Sequence, residues 1–254
     1  MHSLYGCLTY SDPLLIGVTT DLHYEMTTYP DQLEDGQMIV SGFNSFELDA
    51  VLVLGDIIHD PLNSTVLADN LAIYQPVWDA CIHDVYWVVG NHDNRYMTPE
   101  AWAEQAPFIS DKNYTVDVRG YRFIIYSNAE SGDPYVELEY WISAETLAWL
   151  EAQMTQAIAD GMKTILVNHN PEALKASPGY NHDLEHAAIV AAVAGGLNLL
   201  GVFSGHNHQN LATVKDGITY YEFPHGRNGG YTVVEINGST LTRTTYGDFS
   251  TPWL

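Results

Sequence analysis

An α/β fold of two mixed sheets facing each other, with helices outside, follows from three features of the sequence. Five apolar runs, Leu14–Thr19, Ala50–Leu54, Val85–Val89, Thr164–Val167 and Leu199–Phe203, are rich in β-branched residues and end at polar or glycine positions, so they read as buried strands. Stretches with helical spacing lie between them, and such alternation points to β-α units. The last third changes to hairpins. Asp216-Gly217 separates Leu211–Lys215 from Ile218–Phe223, and Asn237-Gly238 separates Tyr231–Ile236 from Thr240–Tyr246. Asn, Asp and Gly tolerate the positive φ that two-residue hairpin turns require.

The remaining elements follow in order. Asn63–Ala80 has helix-compatible spacing. Tyr114–Val118 and Tyr121–Tyr126 form a further hairpin about Arg119-Gly120. Ser143 caps a helix over Ala144–Asp160, with Glu145 favourable in its first turn and Gly161 closing it. No internal repeat, low-complexity stretch or linker divides the chain, so one domain over residues 1–254 is expected, with small cap segments at about 24–49 and 171–187.

Bulk properties narrow the function classes. At 254 residues, 46% apolar and 12% aromatic, the chain has the composition of a soluble globular protein. No run approaches the roughly 18 apolar residues of a membrane span. Met1–Ser11 lacks a basic region and an apolar region of signal-peptide type, which favours the cytoplasm, although a mature secreted chain would read the same. Asp and Glu number 32 against 9 Lys and Arg, a net charge of −23 that repels duplex nucleic acid and anionic membranes. The carboxylate excess resembles proteins of high-salt cytoplasms; an ordinary acidic protein is the alternative. Cys7 and Cys81 make no disulfide framework, and oligomeric state is open, with a dimer among the options.

The chemistry sits where the five runs end: Asp21-Leu22-His23, Gly55-Asp56, Gly90-Asn91-His92-Asp93, Asn168-His169 and Gly205-His206-Asn207-His208. The carboxyl ends of strands are where open α/β sheets bind ligands. Asp21 and His23, two apart on an extended strand end, would share a face, as would His206 and His208. Asp56 can bridge two cations through its two oxygens, Asn91 offers a neutral amide oxygen, and His169 an imidazole nitrogen. A set of oxygens and imidazoles without thiolate favours Mn, Fe, Zn, Ni or Co. Seven such residues exceed what one ion needs and suit two ions with one shared ligand.

These blocks, in this order, resemble the calcineurin-like metallophosphoesterase family: D-x-H, G-D, G-N-H-D, H and G-H-x-H. The resemblance spans Asp21 to His208, with class III cyclic-nucleotide phosphodiesterases and manganese ADP-ribose pyrophosphatases as the members in view. It implies a four-layer α-β-β-α sandwich. It also implies one ion on Asp21, His23, Asp56 and His208 and a second on Asp56, Asn91, His169 and His206. Two divalent or mixed-valence ions, two carboxylates and a bridging hydroxide sum to about +1, enough to receive a phosphate and support in-line attack by that hydroxide. By the same resemblance His92 protonates the leaving alkoxide and Asp93 orients its imidazole. The implied function is hydrolysis of a small phosphodiester, of cyclic-nucleotide or nucleoside-diphosphate type; monoester hydrolysis on the same core is the alternative.

One departure stands out. The family pattern often continues G-D-x-x-[DN], whereas this chain has His59 there and Asp60 next, so His59 is either an outer support of the site or a loop residue. His182-Asp183-Leu184-Glu185-His186 matches the H-x-x-E-H pattern of zinc peptidases; otherwise His182 and His186 line the substrate entrance or face solvent. Arg227 and His225, ahead of Gly229-Gly230, lie on a hairpin connection where Arg227 either contacts a phosphate or is a solvated loop residue. Some relatives of this fold are scaffolds without the catalytic histidine, but His92 is present here. Nucleases sharing the motifs would carry basic patches, which nine positive residues do not supply.

Overall fold

The computed structural model describes residues 12–25, 32–60, 63–94, 111–128, 142–171 and 182–247. Strands β1 (Leu14–Thr19), β2 (Ala50–Val53) and β3 (Val85–Trp87) run parallel in one sheet. The hairpin of β10 (Tyr231–Asn237) and β11 (Thr240–Tyr246) extends it antiparallel to β1, in the order β11-β10-β1-β2-β3. The second sheet takes β4 (Tyr114–Val118), β5 (Tyr121–Ile125), β6 (Lys163–Val167), β7 (Asn198–Ser204), β8 (Leu211–Lys215) and β9 (Ile218–Glu222), in the order β4-β5-β6-β7-β9-β8. Its centre is parallel, and β4 and β8 close its edges antiparallel.

The period of two along each strand divides the apolar residues among three cores. Ile16, Val18 and Leu52 of one sheet meet Phe123, Ile125, Ile165, Val167 and Phe203 of the other. On the outer face of the first sheet, Val51 and Val53 pack under helices α1 (Gln32–Phe43) and α2 (Ser64–Trp78). After the one-turn helix α3 (Asn91–Asn94), on the outer face of the second sheet, Ile124, Leu166 and Val202 pack under α4 (Ala144–Asp160) and α5 (His182–Ala194). Three cores between four layers make the expected α-β-β-α sandwich. Truncating the fully buried Phe203 to Ala should cost about 3–5 kcal/mol in this setting.

Local chemistry explains the boundaries. Asn63 accepts hydrogen bonds from the backbone N–H groups of Thr65 and Val66, both at 3.0 Å, and so starts α2. Ser143 Oγ accepts from Thr146 N at 3.0 Å at the head of α4, and Gly161 ends that helix at φ 66°. Two of the three expected hairpin turns carry left-handed backbone at both residues, Arg119-Gly120 at φ 49° and 86° and Asp216-Gly217 at 50° and 78°; at the third, Asn237 stays in β10 paired with Thr240, and the turn is Gly238-Ser239 with φ 66° at Gly238. Cys81 is half-buried against the core under α1 and α2.

The expected caps need correction. Helix α1 occupies much of the described part of 24–49, and its Ile39, Val40 and Phe43 are buried against the first sheet. That stretch is therefore largely a layer of the sandwich. The segment 171–187 lies mostly outside the described residues, and its last residues form the first turns of α5. Among the described residues no helix is long and apolar enough to cross a membrane.

Candidate metal centre

The five blocks converge at the carboxyl ends of β1, β2, β3, β6 and β7, but not by strand alternation. Asp21 and His23 lie at φ 53° and 47°, and His206 and His208 at 67° and 55°. None of these four is on an extended strand, so a period of two does not describe them. Left-handed residues at alternate positions leave Asp21 and His23 together in one cluster but send His206 and His208 to different ones. Asp56 and Asp60 adopt the same conformation, at φ 51° and 43°. Left-handed backbone is uncommon for residues other than glycine and tends to collect where function over-determines the geometry.

Two clusters result. In the first, Asp21 Oδ1 stands 3.2 Å from His208 Nε2 and 3.8 Å from His23 Nε2. In the second, His169 Nε2 and His206 Nδ1 each stand 3.0 Å from Asn91 Oδ1. Asp56 joins them, its Oδ2 lying 3.6 Å from His23 Nε2 and 3.2 Å from His169 Nε2. All seven side chains predicted to hold metal thus meet in one place, and Asp21, His23, Asp56, Asn91 and His169 are buried there.

Neighbouring groups fix each orientation. Asp21 Oδ2 accepts from Thr20 Oγ1 and from His206 N, both at 2.9 Å, which turns Oδ1 into the cluster. His169 Nδ1 bonds the carbonyl of Leu54 at 2.7 Å, so its Nε2 faces Asn91 and Asp56. His92 N donates to Asp56 Oδ1 at 2.8 Å. Gly55 and Gly90 are required for this closeness. A Cβ on Gly90 would collide with Asp56, and one on Gly55, at φ 96°, would fall 2.7 Å from His169 Nδ1.

The electrostatics match a cation site. Burial pushes the Asp21 carboxyl up, but His208 and His169 outweigh it and hold it at about 2. Burial pulls His169 down, while Asp56 and Asp21 raise it to about 9. Two buried carboxylates thus look for positive charge, which divalent ions would provide in place of imidazole protons. Asp21 Oδ1 is buried and makes no hydrogen bond among the described residues. With a donor set of carboxylate, amide oxygen and imidazole alone, the residues present fit two divalent ions.

The fourth corner holds the main correction. Asp93 does not orient His92. Its Oδ1 accepts from Ile57 N and Ile58 N at 2.9 Å each, and its Oδ2 from Gly90 N at 2.8 Å. Fully buried, it ties the loop after β2 to the loop after β3. The carboxylate on His92 Nδ1 is that of Asp60, at 2.7 Å. His59, expected as either a support or a plain loop residue, lies with its Nδ1 3.0 Å from His23 Nδ1 and its ring stacked on His92 at 5.0 Å. The departure from G-D-x-x-[DN] was the available signal for both residues. What hid Asp60 was its left-handed backbone, which a spacing rule does not contain.

Other candidates fall outside the site or at its edge. Asn168 faces away from its neighbour His169 and bonds Ser204, Tyr126 and Glu185. Glu185 is buried and accepts from the Tyr126 hydroxyl at 2.6 Å. His186 has Nδ1 2.7 Å from the Tyr220 hydroxyl and Nε2 2.8 Å from Asp216. With both nitrogens of His186 engaged and Glu185 in the interior, the described part of the H-x-x-E-H segment is the packed start of α5; the side chain of His182 lies outside the described residues. His225 is buried with its ring 5.7 Å from His208, while Arg227 starts a short 3-10 helix against α1.

The profile of the family described as calcineurin-like phosphoesterase matches residues 14–210. A cAMP/cGMP dual specificity phosphodiesterase of Mycobacterium tuberculosis is 25% identical over 217 residues, covering 84% of this chain and 65% of that protein. A glycerophosphodiester phosphodiesterase of Enterobacter lignolyticus is 25% identical over 175 residues, covering 65% of this chain and 58% of that protein. The chain therefore spans less than two thirds of the length of these relatives. In fold, a dimetal phosphatase from Danio rerio superposes with a TM-score of 0.74 at 16% identity, over 93% of this chain and 97% of that one.

Proposed function

The chain belongs to the calcineurin-like phosphoesterase family of phosphate-ester hydrolases, and on that premise we propose that it is a dinuclear enzyme hydrolysing small phosphodiesters. The observation that carries the reading is the sharing of Asp56 between two His/Asp clusters, with His92 bonded to it at the edge. Asp21, His23, Asp56 and His208 would hold one ion, and Asp56, Asn91, His169 and His206 the other. When bound, such ions supply Lewis-acid charge and activate a water molecule near neutral pH.

The protein's own groups do the rest. His92 is partly exposed, so its ring can reach a substrate, and Asp60 occupies Nδ1 and leaves Nε2 to deliver a proton. Burial lowers its affinity for that proton, and Asp56 and Asp60 raise it to about 9 in the metal-free site. With ions drawing on Asp56, Asp60 is the carboxylate that would keep on the ring the proton a general acid needs for an alkoxide leaving group. Asp93 holds the loop that presents His92 and takes no part in proton transfer. Diester substrates are favoured because the curated relatives act on cyclic nucleotides and glycerophosphodiesters.

A hydrolysis panel in Mn²⁺ tests this: bis(4-nitrophenyl) phosphate, 4-nitrophenyl phosphate, cyclic AMP and ADP-ribose, alongside metal content by elemental analysis. Two ions per chain and a higher kcat/KM on diesters are expected. Two ions with a preference for the monoester would overturn the diester assignment, and a chain holding fewer than two ions would overturn the dinuclear one.

A further inference from the structure

Resting on the dinuclear reading, we propose that His59 is a positioning residue for the ion held by Asp21, His23 and His208. It does so as the hydrogen-bond acceptor that fixes which nitrogen of His23 faces the ion. His23 is buried at the centre of the site, and its Nε2 faces Asp21 Oδ1 and Asp56 Oδ2 at 3.8 and 3.6 Å. Its other nitrogen, Nδ1, is 3.0 Å from His59 Nδ1. Two ring nitrogens at that separation need one proton between them, since two N–H groups repel and so do two lone pairs.

The direction of this bond follows from the site. An imidazole that gives the lone pair of Nε2 to a cation carries its proton on Nδ1. His23 therefore donates, and His59 accepts through Nδ1 with its own proton on Nε2. His59 is held for this by its backbone N–H, bonded to the carbonyl of Tyr24 at 3.2 Å, and by its stack on His92. The family pattern puts a carboxylate or amide at this position. Here the carboxylate has moved one residue on, to Asp60, which serves His92, and the vacated position serves His23.

Removing the acceptor should take away the hydrogen bond that His23 Nδ1 makes with His59 and let the ring change tautomer or turn. Loss of such an outer partner weakens metal affinity by about 10–100-fold. The experiment is a Mn²⁺ titration of the metal-free full chain by isothermal calorimetry, comparing wild type, His59→Phe and His59→Asn. In His59→Phe one of two sites should weaken by about that factor while the other stays within about twofold. His59→Asn, which keeps an acceptor, should recover most of the loss. Equal binding by wild type and His59→Phe, equal weakening of both sites, or no recovery in His59→Asn would each overturn the proposal. If His59→Phe does not fold, judged by its metal-free Tm, the smaller His59→Ala takes its place under the same criteria. A wild-type chain that binds fewer than two ions overturns the dinuclear reading itself, which separates the two failures.

Discussion

The two clusters of the site look alike in composition and differ in what holds them. In the cluster of Asn91, His169 and His206, the outer nitrogen of His169 rests on the carbonyl of Leu54, a backbone group at the end of β2. In the cluster of Asp21, His23 and His208, the outer nitrogen of His23 rests on a side chain, His59. One support comes with the sheet and cannot be altered by substitution without altering the fold. The other can be exchanged residue by residue. A fold thus conserves one half of a binuclear site by construction and leaves the other half open to tuning.

Four substitutions bear on that contrast, in order of expected effect. Asp56→Ala removes the carboxylate common to both clusters and should erase the difference between them: both ions are lost, and kcat/KM falls by about 10³-fold or more, equivalent to several kcal/mol of lost charge stabilisation. Metal analysis of the purified variant checks this, and one retained ion would refute the shared role. His92→Ala should leave both clusters loaded and lower turnover on an alkyl phosphodiester by about 10²–10⁴-fold, with a much smaller loss on a nitrophenyl ester, whose leaving group needs no proton. Comparable losses on the two substrates would argue against proton donation.

Asp60→Asn sharpens the picture further. Asp60 helps raise His92 to about 9, so a neutral amide lowers that value, and the protonated ring is lost earlier as pH rises. The basic limb of the kcat/KM profile should move to lower pH while metal content stays constant; an unmoved limb would return the search for the partner of His92 to Asp93. At the opposite end of the sheets, Arg119 bonds Asp49 at 2.9 Å and the carbonyls of Asp12 and Pro13. Arg119→Ala should cost about 1 kcal/mol in urea unfolding and leave metal binding and turnover unchanged. A change in metal affinity there would mean the two ends of the molecule are coupled.

Much of this was legible in the residues because it depends on short-range rules. The run Leu14–Thr19 is β1 to the residue, and Ser143 with Gly161 bounds α4 as capping chemistry requires. The seven clustered side chains were also visible, since strand ends gather them whatever the local backbone does. Three features were not. Residues 24–49 read as a cap because the burial of Ile39, Val40 and Phe43 in α1 depends on a sheet formed by distant segments. The family resemblance pairs Asp93 with His92, whereas its carboxylate satisfies three backbone N–H groups of two loops. The pairings of Asp60 with His92 and of His59 with His23 arise from a left-handed residue after β2, which residue types alone do not announce.

The left-handed residues and buried carboxylates of this centre also bear on the lifetime of the protein. A ligand that binds the folded chain and not the unfolded one stabilises it by mass action, by about 2.7 kcal/mol when its free concentration is 100 times Kd. Asp21 and Asp56 are buried at positive φ, and neighbouring histidines hold both carboxyls below the usual carboxylate range, a role that bound cations would take over. If the chain holds ions as proposed, their supply would set the population of unfolded chains as well. Under metal starvation, copies emptied of metal would open more often and reach proteases first.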